Sequence, residues 1–231
     1  MTPQDERQKI LITSGPTREY LDQVRYISNG SSGKMGAALA AAVIKNGAVP
    51  IVISGCVSVE YPAGAEVHYV ETTEEMLAAC LEHFPHCAGV IGAAAPCDFK
   101  PLQFSPQKIS KQNMEDGVLT IRFCKTPDIL AALGKIKRAD QFIICFALET
   151  ADDKAGEKNA LRKLKEKNGD YVVLNKAESI HSDISTVKIF DRSGEMCSTF
   201  VGEKLYVAEK IVEIICGTVR LQVPRRPANV L

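Results

Sequence analysis

The segment ILITSGPTREYLDQVRYISNGSSGKMG, residues 10–36, constrains the fold more than any other part of this chain. It begins with an apolar stretch typical of a buried strand, passes through a Gly-Pro turn, and leads into an alanine-rich helix. The first N–H groups of a helix lack internal partners, and the helix dipole favours negative charge beside them. The pattern therefore predicts a phosphate-binding turn before the helix, at Ser31, Ser32, Gly33 and Lys34.

Two familiar phosphate-binding motifs do not describe this turn. A Walker A loop requires Ser or Thr after Gly-Lys, and Met35 stands there instead. The glycines at positions 30, 33 and 36 are spaced by three, which is not the spacing of a dinucleotide fingerprint. Taken alone the turn could equally be an ordinary helix start. The upstream Arg18 and Arg25 favour an anion site, because arginine binds phosphate and carboxylate in a multidentate way.

The rest of the chain alternates strands and helices. Apolar strands are predicted at Pro50–Ser54, Val67–Val70 and Gly89–Ala94, with a capping box at Thr72–Glu75 opening a helix between the last two. We therefore predict an α/β, Rossmann-like three-layer sandwich with a mostly parallel central sheet and an added β-hairpin at residues 186–201. A single domain over residues 1–216 and a disordered C-terminal tail over residues 217–231 are expected.

Composition argues against several functional classes. Lys+Arg and Asp+Glu both number 28, so the chain lacks the basic excess of a typical nucleic-acid-binding protein. No apolar run approaches the roughly 20 residues of a membrane span, and the polar N-terminus does not resemble a secretory signal. The eight cysteines form no C-x-x-C pair, and free thiols in the cytoplasm are therefore the expectation.

One cluster of metal-ligand types, Cys80, His83, His86 and Cys87, could bind zinc in principle. Structural zinc sites usually bring together two separated ligand pairs, and Pro85 interrupts this segment. We interpret the cluster as a core position followed by a helix end.

Small residues and charged residues further along the chain suggest a ligand site at one sheet edge. The strand ending in Gly92, Ala93 and Ala94 would let a ligand approach the backbone, although close helix packing explains it equally well. Asp98 follows, within reach of a ribose hydroxyl or a metal-bound phosphate; its alternative role is that of a turn residue. Loop and helix lysines could bind a polyanion or simply face solvent: Lys108, Lys163 and Lys167.

Further on, residues 95–118 are predicted to be irregular, because Pro96, Pro101 and Pro106 interrupt them, and a strand is predicted at Val118–Cys124. Thr126-Pro127-Asp128 then predicts a helix start with Thr126 as its N-cap and Pro127 as its first residue.

Together these pieces resemble the phosphopantothenoylcysteine synthetase family. The resemblance covers about residues 9–216 and rests on an ordered series of motifs: TSGPTREYLDQVRYISNGSSGKMG, GAAAPCDFKP, QKISK, TPDIL, CFALET and KLKEKNGD. It implies a stand-alone bacterial-type synthetase, without the flavin-dependent decarboxylase to which such domains are often fused. It also implies a cytoplasmic homodimer.

The chemistry that the resemblance implies has two steps. The carboxylate of 4'-phosphopantothenate attacks the α-phosphate of a nucleoside triphosphate and expels pyrophosphate. The amine of L-cysteine then attacks the acyl-nucleotide and releases the monophosphate. CTP is the expected co-substrate with ATP as the alternative, Mg²⁺ is expected with the triphosphate, and no flavin is required.

The resemblance also assigns roles to individual residues. Asn29 would act on the acyl intermediate with Arg25 beside it, Lys108 would act at the phosphates, and Asp98 would meet the ribose or Mg²⁺. The remaining nucleotide-binding positions that it implies are Gly92, Ala93, Ala94, Pro127, Asp128, Ile129, Leu130, Phe146, Lys163 and Lys167. Three positions depart from the family pattern, in which His, Lys and Asn are usual: Gly30, Ser110 and Thr126.

Two other functions remain as alternatives. An NAD(P)-dependent reductase would need a G-x-G-x-x-G turn and an acidic residue after the second strand, where Ser54-Gly55 stands. A non-catalytic nucleotide-binding module is the third possibility, against which the retained Asn29 and Lys108 weigh.

Overall fold

The structure is a computed structural model, and it describes residues 7–110, 117–149, 153–176 and 182–218. Its strands are β1 (Lys9–Ser14), β2 (Arg18–Tyr20), β3 (Tyr26–Ser28), β4 (Val49–Ser54), β5 (Glu66–Tyr69), β6 (Gly89–Gly92), β7 (Phe99–Pro101), β8 (Phe123–Lys125), β9 (Phe142–Glu149), β10 (Tyr171–Lys176), β11 (Ile184–Asp191) and β12 (Met196–Glu203). Its α-helices are α1 (Lys34–Lys45), α2 (Thr73–His83), α3 (Ile129–Ile136), α4 (Asp153–Glu166) and α5 (Lys204–Thr218). Within these described stretches, every helix is too short or too polar to span a lipid bilayer.

One eight-stranded sheet organises the molecule, in the order β12-β11-β10-β9-β6-β1-β4-β5. The six strands from β10 to β5 are parallel to one another. Strand β11 pairs antiparallel with both β10 and β12, and β11 and β12 form the hairpin that the sequence predicted. Small two-stranded sheets, β2-β3 and β7-β8, lie outside it. The predicted α/β sandwich with a mostly parallel sheet is therefore confirmed.

Two apolar cores cover the two faces of the sheet. Ile10 and Ile12 of β1 face the layer formed by α1 and α5, and Leu11 between them faces the layer formed by α2, α3 and α4. Successive residues of a strand point to opposite faces, and a sheet covered on both sides needs apolar residues at both parities. This requirement explains the continuous apolar run in β1.

The strand order reverses direction at the centre of the sheet. The chain runs from β1 outward through β4 to β5 and then returns to form β6 on the opposite side of β1. In open α/β sheets, ligands bind beyond the carboxyl ends of the strands where the order reverses. The fold therefore directs attention to the segments that follow β1 and β6.

Several local predictions need correction. Thr126 is not the cap of α3: its Oγ1 donates to the Cys97 carbonyl at 2.5 Å, and the Oδ1 of Asp128 accepts the Ala131 N–H instead. Residues 95–118 are not wholly irregular, because β7 lies within them and pairs with β8. The strand expected at Val118–Cys124 is limited to Phe123–Lys125.

The predicted C-terminal boundary also differs from the structure. Helix α5 continues through Thr218, so the tail does not begin at residue 217, and residues 219–231 lie outside the described residues.

Candidate functional site

Two adjoining pockets lie beyond the carboxyl ends of β1, β6 and β9. Their volumes are about 670 and 510 Å³, and they share six lining residues, among them Asp98, Phe146 and Lys167. The first pocket extends toward the start of α1, and the second toward the start of α3. We call them the α1 pocket and the α3 pocket.

The sequence-derived candidates converge on these two pockets. The phosphate turn, Ser31, Ser32, Gly33 and Lys34, lines the α1 pocket together with Asn29. Every nucleotide-binding position implied by the resemblance, other than Lys108, lines one pocket or both: Gly92, Ala93, Ala94, Asp98, Pro127, Asp128, Ile129, Leu130, Phe146, Lys163 and Lys167. Asn29 and Lys167 therefore line the same pocket, although they are 138 positions apart in the chain.

The phosphate turn has the backbone geometry of an anion-binding helix start. Gly33 is the N-cap of α1 with a φ of 78°, in the left-handed region that favours glycine, and no side chain caps the helix. No acidic residue occupies the first turn. The N-terminal dipole of α1 therefore faces the α1 pocket, and the first turn of the helix itself carries no carboxylate that would offset it.

Hydroxyl groups behind the turn hold it against the sheet. Tyr61 donates its hydroxyl to Ser14 Oγ at 2.8 Å and also bonds Ser54 Oγ at 2.8 Å, and burial raises its pKa. Ser14 Oγ in turn donates to the Gly33 carbonyl at 3.4 Å. At Gly36 an added Cβ would lie 2.0 Å from Ser14 Oγ, which explains why glycine is needed where α1 crosses β1.

Asn29 joins the segments that follow β1 and β6. Its Nδ2 donates to the Ala95 carbonyl at 3.1 Å and to the Pro96 carbonyl at 3.0 Å. Because both acceptors are carbonyls, the amide nitrogen must face them. In this arrangement both amide hydrogens are engaged by the protein.

Asp128 and Lys167 link two elements of the shared wall. Asp128 Oδ1 caps α3, while its Oδ2 lies 3.2 Å from Lys167 Nζ. The lysine side chain is one-fifth exposed and therefore well shielded, whereas the aspartate is half exposed. One carboxylate thus holds both the start of α3 and a lysine directed at the site.

The hairpin end of the α1 pocket carries a second pair of charges. Lys34 Nζ lies 2.7 Å from Asp183 Oδ1, and this hydrogen bond lowers the pKa of Asp183. Lys204 lines the pocket and donates to the Ser182 carbonyl; burial lowers its pKa, with a further lowering by Lys34 and an opposing effect of Asp183. Asn175 lies on the same wall, and its buried Oδ1 has no hydrogen-bond partner in the described part of the chain.

Arg25 and Lys108 lie outside both pockets. Arg25 Nη1 is 2.7 Å from Asp22 Oδ2 and donates to the Ile109 carbonyl at 3.1 Å. Lys108, beside Ile109, is exposed. The structure therefore brings the Arg25 turn together with the loop that carries Lys108, and neither residue belongs to the lining of either pocket.

Asp22 organises that loop and was not singled out from the sequence. Its side chain is fully buried; its Oδ1 accepts the N–H groups of Val24 and Arg25, and its Oδ2 accepts the Ile109 N–H at 3.1 Å. Burial would raise the pKa of Asp22, but the N–H groups of Ile109, Val24 and Arg25 and the Arg25 charge lower it to about 2. Asp22 itself was the available signal, because an Asp side chain often bonds the backbone N–H two residues further on in an Asx turn. We call Asp22, Arg25 and Ile109 the loop clamp.

The comparisons with known proteins identify the family of the chain. The family model described as the DNA/pantothenate metabolism flavoprotein C-terminal domain matches residues 6–218. The chain belongs to this family. A solved structure, the C-terminal domain of coenzyme A biosynthesis bifunctional protein CoaBC, is 33% identical, with a TM-score of 0.78, and the match covers 92% of this chain and 96% of that one.

Curated relatives are longer than the matched region. CoaBC of Bacillus subtilis (strain 168) is 38% identical over 217 residues, which are 92% of this chain and 52% of that protein. A prokaryotic protein named cysteine/cysteine sulfinic acid decarboxylase, of unknown organism, is 37% identical over 213 residues, 90% of this chain and 57% of that one. The chain thus spans about half the length of the curated relatives it matches.

Proposed function

We propose that this chain is a ligase of coenzyme A biosynthesis that joins 4'-phosphopantothenate to L-cysteine. The observation that carries this proposal is the convergence of the implied nucleotide positions on two adjoining pockets, with Asn29 and the phosphate turn on the same wall. Family membership and the similarity to CoaBC support it.

The proposed reaction has two balanced steps. A carboxylate oxygen of phosphopantothenate attacks the α-phosphorus of CTP, and the bond from that phosphorus to the bridging oxygen breaks, which releases pyrophosphate and leaves an acyl-cytidylate. The cysteine nitrogen then attacks the acyl carbon, loses a proton, and displaces CMP. The product is 4'-phosphopantothenoylcysteine.

The charges of the α1 pocket suit this chemistry. Five cationic residues line it, against the carboxylates of Asp98, Asp128 and Glu166: Lys34, Arg162, Lys163, Lys167 and Lys204. A carboxylate and a triphosphate repel each other in water, and fixed cations in a partly enclosed site reduce that repulsion. The uncapped start of α1 adds positive potential on the same wall.

The described residues of the site could hold a Mg²⁺ ion that arrives bound to the triphosphate, but they do not form a complete protein site for the ion. Asp98 offers an exposed carboxylate on the wall that both pockets share, and no group of three protein ligands lies there among the described residues. Mg²⁺ typically takes one or two carboxylates and completes its shell with phosphate oxygens and water. Bound there, it would offset phosphate charge, and Asp98 would hold it.

CTP is the proposed co-substrate, with ATP as the alternative. The bacterial-type motifs favour CTP, and the base would meet backbone edges near Gly92 and the start of α3 in the α3 pocket. We also propose a homodimer, because the outer hairpin strand β12 exposes Met196 and Val201 at a sheet edge with which no other strand pairs in the described ranges.

The function is tested by incubating the protein with 4'-phosphopantothenate, Mg²⁺ and either CTP or ATP, with and without cysteine. We expect pyrophosphate release that requires phosphopantothenate, and CMP together with the amide product when cysteine is added. Unphosphorylated pantothenate is the substrate control. Carbon dioxide release from cysteine is measured in parallel, because one relative carries a decarboxylase name. Absence of pyrophosphate with every nucleotide would refute the ligase proposal.

A further inference from the structure

Two histidines and a glutamate form a cluster where strand β5 meets the end of helix α2. Glu66 and His68 are two residues apart on β5 and so lie on one face of the strand, and His83 is the last residue of α2. Nε2 of His68 lies 3.0 Å from Oε1 of Glu66, and the His68 and His83 rings have centroids 4.2 Å apart. One ligand atom from each residue lies within 4.8 Å of the others.

This cluster is remote from the nucleotide pockets. Glu66 begins a parallel strand and contacts Lys9, the first residue of β1, so the cluster lies at the amino end of the sheet. The pockets lie beyond the opposite, carboxyl ends of the strands, and none of the three residues lines them. Among the described residues, this is the single group of three such ligands within that distance.

We propose that Glu66, His68 and His83 bind a divalent transition-metal ion of the Zn²⁺ class, with a fourth position open to water. Two imidazoles and a carboxylate are a donor set that zinc uses with an open position. Zinc–ligand bonds of about 2.0–2.1 Å require tetrahedral ligands about 3.3 Å apart. The Glu66–His68 pair already has nearly that separation, and the half-buried His83 needs a modest side-chain movement.

Bound metal would connect the outer strand of the parallel sheet to the helix that covers it. Among the described residues, β5 has one paired neighbour, β4, and no strand pairs with its other edge. An ion held by two β5 side chains and one α2 side chain would therefore link β5 to α2. This link would stabilise a strand that has backbone hydrogen bonds to a neighbouring strand on one side. Because metal binds the folded arrangement of ligands, it should raise the unfolding temperature in proportion to its binding.

The neighbouring charged and thiol groups set the limits of the site. Lys9 Nζ lies 3.7 Å from Glu66 Oε2, and its exposed side chain must turn away when a cation binds. Cys80 and Cys87, which the sequence placed beside His83, are buried in the core and lie outside this ligand group. His86 is exposed on the turn that follows α2 and does not belong to the group either.

The experiment titrates the untagged full chain with ZnCl₂ by isothermal calorimetry and follows unfolding by differential scanning fluorimetry. We expect one Zn²⁺ per chain, reversal by EDTA, and an increase in unfolding temperature. Mg²⁺ at the same concentration should bind at least about tenfold more weakly here, because it prefers oxygen ligands and retains its water. His68→Ala and His83→Ala should each weaken zinc binding by at least about tenfold.

Two further variants make the result specific. His86→Ala removes an exposed histidine three residues from His83 and should leave zinc affinity unchanged. Lys9→Met removes the competing charge and should strengthen binding. Zinc affinity unchanged in both His68→Ala and His83→Ala, or weakened equally by His86→Ala, would overturn the proposal. Ligase activity does not enter this test, so its outcome is separate from that of the proposed function.

Discussion

The pocket walls and the loop that carries Lys108 differ in how they are built. The walls stand on the ends of β1, β6 and β9 and on the starts of α1 and α3, all anchored in the two apolar cores. The Lys108 loop is instead held by the loop clamp, in which one buried carboxylate accepts bonds from Ile109 and Arg25. The pocket walls are thus supported by the apolar cores, whereas the Lys108 loop is supported by the loop clamp.

This difference explains what the sequence predicted well and what it did not. Positions such as Gly92, Phe146 and Lys167 lie in or beside regular elements, and the edge where those elements end fixes their location. Lys108 lies on a loop whose position depends on a polar contact 87 residues away in sequence, between Ile109 N and Asp22. The separation predicts that the two parts can be impaired independently by mutation.

The largest expected effect is that of Lys108→Gln on the first half-reaction. Under the proposed function Lys108 meets the phosphates in the transition state, and removing its charge should slow pyrophosphate release by about 100-fold or more. Nucleotide affinity, measured by calorimetry, should stay near the wild-type value, because Lys108 lies outside both pockets. Lys135→Gln, an exposed lysine on α3, is the control. Wild-type pyrophosphate release in Lys108→Gln would remove this residue from the mechanism.

A second test is Asn29→Asp, which asks whether this residue of the pocket wall acts in cysteine coupling or only supports the wall. The new carboxylate cannot donate to the Ala95 and Pro96 carbonyls that Asn29 now holds. In the proposed reaction it would also place negative charge where charge develops on the acyl oxygen. We expect cysteine coupling to slow by about 10- to 100-fold, with the acyl-nucleotide accumulating in quenched single-turnover reactions. Equal slowing of both half-reactions would instead assign Asn29 to holding the wall together.

Gly36→Ala probes the wall itself. An added Cβ would lie 2.0 Å from Ser14 Oγ, so α1 or Ser14 must shift. Overpacking of this kind typically lowers the free energy of unfolding by about 1–3 kcal/mol, and the displaced phosphate turn should bind nucleotide more weakly. Gly217→Ala is the matched control, because it lies in α5 with nothing within 4 Å. Urea unfolding of both variants gives the comparison, and equal stabilities would contradict the close packing at Gly36.

The smallest expected effect is that of Asp22→Asn on the loop clamp. Loss of the carboxylate should reduce pyrophosphate release by about tenfold, through misplacement of the Lys108 loop, and leave nucleotide affinity unchanged. Asp140→Asn, an exposed carboxylate paired with Arg138, is the control. A parallel loss of nucleotide affinity would show that the loop and the walls do not act separately.

The clamp also has a defined pH dependence. The pKa of Asp22 falls from an ordinary 3.8 to about 2 in the folded chain. Its stabilising contribution is therefore complete above about pH 4 and is lost as pH falls through about 2. The difference in unfolding free energy between wild type and Asp22→Asn should be constant from pH 7 to about pH 5 and shrink toward pH 2. A difference that grows as pH falls would contradict the low pKa.

The fold could be predicted from the sequence because its strands and helices are locally consistent. The apolar run at Ile10–Thr13 and the capping box at Thr72–Glu75 each predict their element, and the structure contains both. Helix α2 begins as expected, with Thr72 and Glu75 bonding reciprocally.

The misses share a physical cause, which is tertiary competition for polar groups. Thr126 has the side chain of a good N-cap, but its hydroxyl bonds the Cys97 carbonyl instead, and Asp128 caps α3. The pairing of Arg25 with Asp22 was likewise not predicted from the sequence, and the expected role of Arg25 at the substrate stays a prediction. The Glu66–His68–His83 cluster was invisible because it combines a strand with the far end of the next helix. The spacing of residues along the sequence does not predict contacts of this kind, which form only when the elements pack together.

The Asn29 contacts have a consequence for synthesis of the chain. The amide of Asn29 meets carbonyls 66 and 67 residues later, and Lys167 completes the same wall a further 71 residues beyond Pro96. Contacts between such distant residues form slowly, because a long loop must close before they are gained. A nascent chain that has emerged from the ribosome only as far as β6 would contain the phosphate turn but not the later residues that complete the pocket. Nucleotide binding should therefore begin only late in translation, after α4 has emerged.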